Sequence, residues 1–112
     1  MYDPFVVFFN WNNEEITGET ATILGNVARV YSPLAHCEVT ITGHTDRSGE
    51  ANYNLALSRR RAEAVGVYLR QHGVTARSRI EPYGEERPLV ETPDGQRDVQ
   101  NRRSEILVGN PR

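Results

Sequence analysis

The stretch from Cys37 to Gly73 constrains the fold more than any other, because its hydrophobic period changes once within it. Cys37, Val39 and Ile41 alternate with Glu38, Thr40 and Thr42, the period of two that gives a strand one buried and one wetter face. From Asn52 to His72 the period lengthens to that of a helix. Leu55, Ser58, Ala62, Val65 and Leu69 form a core stripe, Leu57, Arg61, Ala64 and Tyr68 lie beside it, and Gly73 supplies a left-handed stop. A strand feeding a helix through a short loop folds back on itself, so the helix covers the strand's apolar face and leaves the other face bare.

The rest of the chain fits around this unit. The run FVVFF, Phe5 to Phe9, is too short for a helix and rich in β-formers, and reads as a central strand covered on both faces. Ile16, Ile23, Leu24, Val27 and Tyr31 recur at helical spacing, with Thr17 as N-cap and Pro33 beyond the end. Ile80 to Tyr83 and Glu105 to Val108 read as further strands. Between them, residues 84–101 are polar and contain a Pro93-Asp94-Gly95 turn. Structureless loops beyond about 12 to 15 residues are uncommon in compact domains, so this stretch is either functional or holds a short helix. The order β-α-β-α-β-β predicts an α+β, two-layer sandwich with two main helices on one face of a mixed sheet. With 112 residues and 38% hydrophobic content the chain closes one core and not two. Residues 1–112 are therefore read as a single domain with its core over about 5–108.

Charge and composition narrow the function classes. All 13 basic residues are Arg, against 15 acidic ones, for a formal net charge of -2. That lacks the positive field of a nonspecific nucleic-acid binder. The Arg59-Arg60-Arg61 triple makes no patch, because successive helical residues point about 100° apart. No stretch approaches the roughly 20 apolar residues of a spanning helix. One cysteine, Cys37, allows no internal disulfide, and with only His36, His44 and His72 beside it makes no zinc cluster.

Chemistry concentrates where strand turns to helix, in GHTDRSGEANYNLALSRRRAEAVGVYL. Asp46 falls just past the strand end and Arg61 lies on the following helix, so both can face one cleft. Such a pair either neutralises itself as a structural ion pair or jointly grips a zwitterion. Local sequence leaves both open.

These residues carry a resemblance. GHTD, the YN-x-x-LS-x-x-RA spacing, PYGEERP and QNRRSEI, in that order from FVVFFNWNNEEIT onward, resemble the OmpA-like domain that binds peptidoglycan in the Gram-negative envelope. The resemblance implies a noncovalent receptor for the peptide stem of the wall that recognises the free end of meso-diaminopimelate. It assigns Asp46 to the ligand's ammonium and Arg61 to its carboxylate. A guanidinium offers paired donors matched to a carboxylate, and a carboxylate accepts from an ammonium, both as charge-assisted bonds. Asn12 either orients the ligand or is a turn residue of NWNN, Thr45 is expected to offer backbone or hydroxyl bonds, and Trp11 and Leu57 either wall the ligand's methylene chain or belong to the core. Arg102 or Arg103 is expected to brace the binding loop or the sheet. Asn10 stands where the family often has Asp, and Ser104 replaces the apolar residue common after NRR.

The resemblance also implies a periplasmic anchor, part of an outer-membrane or envelope protein, with membrane attachment only through an N-terminal region outside this sequence. No catalytic residue, cofactor or metal is expected, and a homodimer is left open. Two other readings stand beside it. A wall hydrolase would use Asp46 and His44 as acid and base, but the sequence shows no nucleophile or second carboxylate for it. A nucleic-acid binder would use the Arg-rich helix against an unfavourable net charge. Cys37 is expected on the helix-facing side of the sheet.

Overall fold

A computed structural model describes residues 5–31 and 38–109. The expectations for Pro33 and Cys37 lie outside those residues. Seven elements follow in order: β1 (Phe5–Phe8), α1 (Gly18–Tyr31), β2 (Glu38–His44), α2 (Ala51–Gln71), β3 (Arg77–Gly84), a 3₁₀ turn (Val99–Asn101) and β4 (Arg103–Gly109). The strands form one mixed sheet in the order β1-β4-β2-β3. β2 and β3 run parallel, as a βαβ crossover requires, whereas β4 is antiparallel to both β1 and β2. This is the α+β, two-layer arrangement expected.

The alternation in β2 does what the sequence implies. Val39 and Ile41 are buried with Val65 and Leu69 of α2, Leu24 and Val27 of α1, Val7 and Ile106. Thr40, Thr42 and His44 lie on the opposite face with Glu81, Tyr83, Glu105 and Leu107. α2 packs on β2 and β3, and α1 packs on β1 and against α2. The β2–α2 approach is close enough to demand glycine, since a Cβ on Gly43 would lie 1.8 Å from the Ser58 carbonyl oxygen. α2 ends as predicted. Gly73 has φ +98°, the Val74 N–H reaches the Leu69 carbonyl at 3.0 Å, and the Gly73 N–H reaches that of Arg70 at 3.3 Å, both bonds of a Schellman cap. Thr17 stands just before α1, its carbonyl accepting the Ala21 N–H at 2.7 Å.

Two expectations fail. FVVFF is not a central strand: β1 is the sheet's edge, Val7 and Phe9 face inward, and Phe8 is 42% exposed. A continuous apolar run masked an alternating edge strand, because periodicity is invisible when both faces carry apolar residues. Leu55 is not part of the core stripe. It lies in the first turns of α2 and is 47% exposed, while Leu57 on the neighbouring stripe is buried. The polar stretch after β3 does hold a short helical turn, Val99–Asn101, capped by the Asp98 side chain accepting the Gln100 N–H. Its Pro93 turn is closed by the Gln96 N–H on the Pro93 carbonyl at 3.4 Å, with Gly95 at φ +83°.

Candidate functional site

At the carboxyl end of β2 the chain turns through Thr45 to Glu50 into α2. A cavity of about 180 Å³ opens there, between this turn, the 10–13 loop and the first turns of α2. All six residues singled out from the sequence line it: Asp46, Arg61, Asn12, Thr45, Trp11 and Leu57. Ser48, Gly49, Tyr53 and Asn54 complete its wall.

Asp46 is 3% exposed. Its Oδ1 accepts the Ser48 N–H at 3.2 Å and the Ser48 hydroxyl at 2.6 Å. Its Oδ2 accepts the Asp98 N–H at 3.1 Å and Arg102 Nη1 at 3.1 Å. Burial pushes its pKa upward, but the Ser48 hydroxyl, the Asp98 N–H and Arg102 outweigh burial and hold the carboxyl below its ordinary value. It stays an anion through the physiological range.

Arg61 is 0% exposed, the largest fully buried side chain among the described residues. Its Nε donates to the Asn13 carbonyl at 2.9 Å, Nη1 to that of His44 at 2.9 Å and Nη2 to that of Asn10 at 3.1 Å. The guanidinium also lies 5.3 Å from the centre of the Phe9 ring. Burial lowers its pKa to about 10, the Asp46 charge opposing this, so it remains a cation. The structural ion pair weighed from the sequence does not form. The salt-bridge partner of Asp46 is Arg102, whose Nε is itself tied to the Phe9 carbonyl at 3.1 Å. Arg61 instead sutures the 10–13 loop to the end of β2 through three carbonyls, with two of a guanidinium's five N–H groups left over.

The remaining residues shape the rim. Trp11 is 44% exposed, donates from Nε1 to Ser48 Oγ at 2.8 Å, and has the Arg97 guanidinium 3.5 Å from its ring centre. Asn12 adopts φ +53°, a left-handed conformation that Asn tolerates, and its Oδ1 accepts the Tyr53 hydroxyl. The Thr45 N–H is used by the Gly84 carbonyl at 2.8 Å, whereas its hydroxyl is buried with no protein partner.

Several further groups position the site through partners distant in sequence. Asn54, buried in α2, donates to the Ser48 carbonyl at 3.0 Å and to Glu85 at 3.0 Å. Arg47 lies within 3.3 Å of Asp94 and 3.6 Å of Glu85, and its carbonyl takes the Gly95 N–H at 2.9 Å. Of the Asn101-Arg102-Arg103 motif, each member does something different. Asn101 clasps the loop by accepting the Leu89 and Val90 N–H groups at 2.7 and 2.9 Å and donating to the Val90 carbonyl at 2.7 Å. Arg102 holds Asp46. Arg103 holds the Arg87 carbonyl at 3.0 Å and Glu105 at 2.8 Å, and lines the opposite face of the sheet. Asn10 serves through its carbonyl alone, and the Ser104 hydroxyl is buried without a partner.

His44 and Asp46 line different cavities, so the acid–base pair of the hydrolase reading does not assemble. Among the described residues no group of three or more His, Cys, Asp or Glu side chains is placed to hold a metal. A larger cavity, about 440 Å³, lies beside Phe8, Ile23 and Val99 and contains none of the six residues.

The sequence matches the model of the OmpA family over residues 8–102. It is 36% identical over 112 residues to an outer membrane protein of Gluconacetobacter diazotrophicus, covering 93% of this chain and 29% of that one. It is 38% identical over 99 residues to the peptidoglycan-associated lipoprotein of Haemophilus influenzae, covering 88% of this chain and 65% of that one. The chain thus spans less than two thirds of either relative. The crystal structure of the peptidoglycan-associated lipoprotein from Burkholderia pseudomallei superposes with a TM-score of 0.77 at 30% identity, covering 92% of this chain and 88% of that chain.

Proposed function

Since the chain belongs to the OmpA family, we propose that it binds peptidoglycan noncovalently and ties an outer-membrane or other envelope protein to the wall from the periplasm. Its ligand is the diaminopimelate of the peptide stem. Asp46 takes the ammonium, Arg61 the carboxylate, and Thr45, Asn12, Trp11 and Leu57 orient the rest. The observation that carries this reading is a single small cavity holding a desolvated anion and a desolvated cation that are not bonded to one another. Two opposite charges at a fixed separation suit a zwitterion, which offers a counter-charge to each, over a ligand bearing one charge alone, which engages only one of them.

The buried Thr45 hydroxyl, which has no protein partner, adds a polar contact inside the same wall. Arg61 lies beneath the 10–13 loop and lines the cavity, and the N–H groups it does not spend on the three carbonyls are the donors left for a ligand carboxylate.

Titration calorimetry with meso-diaminopimelate tests the assignment. Asp46→Ala is expected to weaken binding by about 2 to 5 kcal/mol, roughly 30-fold or more, as when one partner of a desolvated charge pair is truncated. Parent-like affinity in that variant would reject the site. Incubation with purified wall material separates anchor from hydrolase, since the anchor cosediments and releases no soluble fragments.

A further inference from the structure

Asp46 carries four hydrogen bonds on about four lone-pair sites, which is all that a carboxylate accepts. A cation arriving from the cavity must take one of those sites. Three of the four donors are held in place by the fold. The Ser48 and Asp98 N–H groups belong to the backbone, and Arg102 is anchored a second time on the Phe9 carbonyl. The fourth, the Ser48 hydroxyl, turns about a single bond, and Ser48 lines the cavity.

We propose that Ser48 sets the strength and selectivity of the Asp46 site: its hydroxyl occupies the lone pair that the ligand's ammonium takes over, and it must rotate away for binding to occur. This rests on the reading of Asp46 as the ammonium site. Trp11 makes the latch firm. Its indole N–H donates to Ser48 Oγ at 2.8 Å while Ser48 donates to Asp46 at 2.6 Å, and consecutive bonds of this kind polarise one another. The ligand must then return to Asp46 the hydrogen bond it displaces. A primary ammonium does so; a quaternary ammonium, with no N–H, leaves the lone pair bare. Once turned, the Ser48 oxygen keeps the Trp11 N–H.

The sign of one substitution tests this. Removing the hydroxyl with Ser48→Ala is expected to tighten meso-diaminopimelate binding by about 3- to 10-fold, the size of one net hydrogen bond no longer broken. Trp11→Phe keeps an aromatic side chain in the wall but loses the N–H that firms the latch, so it tightens binding by less and adds nothing on top of Ser48→Ala. Calorimetry on the parent, the two single variants and the double variant reads these outcomes directly. Unchanged or weaker binding by Ser48→Ala, or full additivity in the double variant, overturns the latch, since a merely structural role for Ser48 would not tighten binding. Asp46→Asn is the separate control. If it binds as tightly as the parent, the ammonium site itself is wrong; if it loses binding while Ser48→Ala gains none, only the latch is wrong.

Discussion

His44 illustrates how a single side chain links the fold to pH. It sits on the bare face of the sheet, its Nε2 2.9 Å from Thr42 Oγ and its ring stacked 5.5 Å from that of Tyr83. Arg87, Arg103, Glu81 and Glu105 face it. Burial and then the Arg103 charge lower its pKa from 6.5 to about 4, Glu105 opposing. The unfolded chain therefore binds a proton that the folded chain refuses between those values, so stability falls as pH drops through that window. Between about pH 7 and about pH 5 we expect a loss of roughly 2 kcal/mol, with Asp46 contributing further acid loss only at still lower pH. The sign for Asp46 is that of a depressed carboxylate: its contribution is complete above the unfolded pKa and disappears as pH falls through the folded one. Urea unfolding of His44→Gln at the two pH values is expected to lack most of that loss; an unchanged slope would place the proton elsewhere. Replacing Arg61 with Met strands the buried His44 carbonyl and the part-buried Asn10 and Asn13 carbonyls, so a destabilisation of roughly 3 kcal/mol is expected in the same assay. Asp46→Asn, which preserves shape, is for that reason the cleaner probe of binding.

Among the elements, the β2–turn–α2 unit was legible in the sequence because each of its signals is local. The switch of period, Asp46 just past a strand end, Arg61 beside the core stripe and Gly73 as a left-handed cap can all be read from spacing. What could not be read is what depends on distant partners. The edge position of β1 follows from its pairing with β4, and no feature of FVVFF announces it. Arg102 finds Asp46 across 56 positions, and Asp98 contributes only a backbone N–H from 52 positions away. A contact made by main chain leaves no mark on residue type. Leu55 failed for a related reason: helical spacing fixes a stripe but not where along the helix the stripe leaves the core. These distinctions make ordered expectations for denaturant midpoints. Gly43→Ala drives a Cβ into the Ser58 carbonyl and is expected to cost more than roughly 3 kcal/mol or to prevent folding. Gly73→Ala is expected to cost about 1 kcal/mol through its positive φ. Leu55→Asn is expected to fall within about 0.5 kcal/mol of the parent, because its side chain is already exposed. A large loss at Leu55 with little at Gly43 would contradict the packing of α2.

At the scale of the whole molecule, the cavity is a product of tertiary assembly. Its lining comes from the 10–13 loop, the turn after β2 and the first half of α2, while Asp98 and Arg102 buttress it from behind. Its wall is complete only where Trp11 and Asn12 meet the turn after β2 and α2. The charges that matter inside are buried and few, whereas the molecule as a whole is nearly neutral, with 13 basic against 15 acidic residues. This predicts how binding responds to salt. Long-range attraction between a charged domain and a charged polymer is screened over about 10 Å at 0.1 M salt, and weakens steeply as salt is added. Contacts between desolvated groups at hydrogen-bond distance are screened much less. Raising salt from about 0.05 M to about 0.5 M is therefore expected to change the Kd for meso-diaminopimelate by less than about 3-fold. The same increase would release a domain held to the wall, or to a nucleic acid, by its surface arginines through counterion exchange. Calorimetry across that salt range decides between the two, and a steep, linear loss of affinity would move recognition out of the cavity and onto the surface.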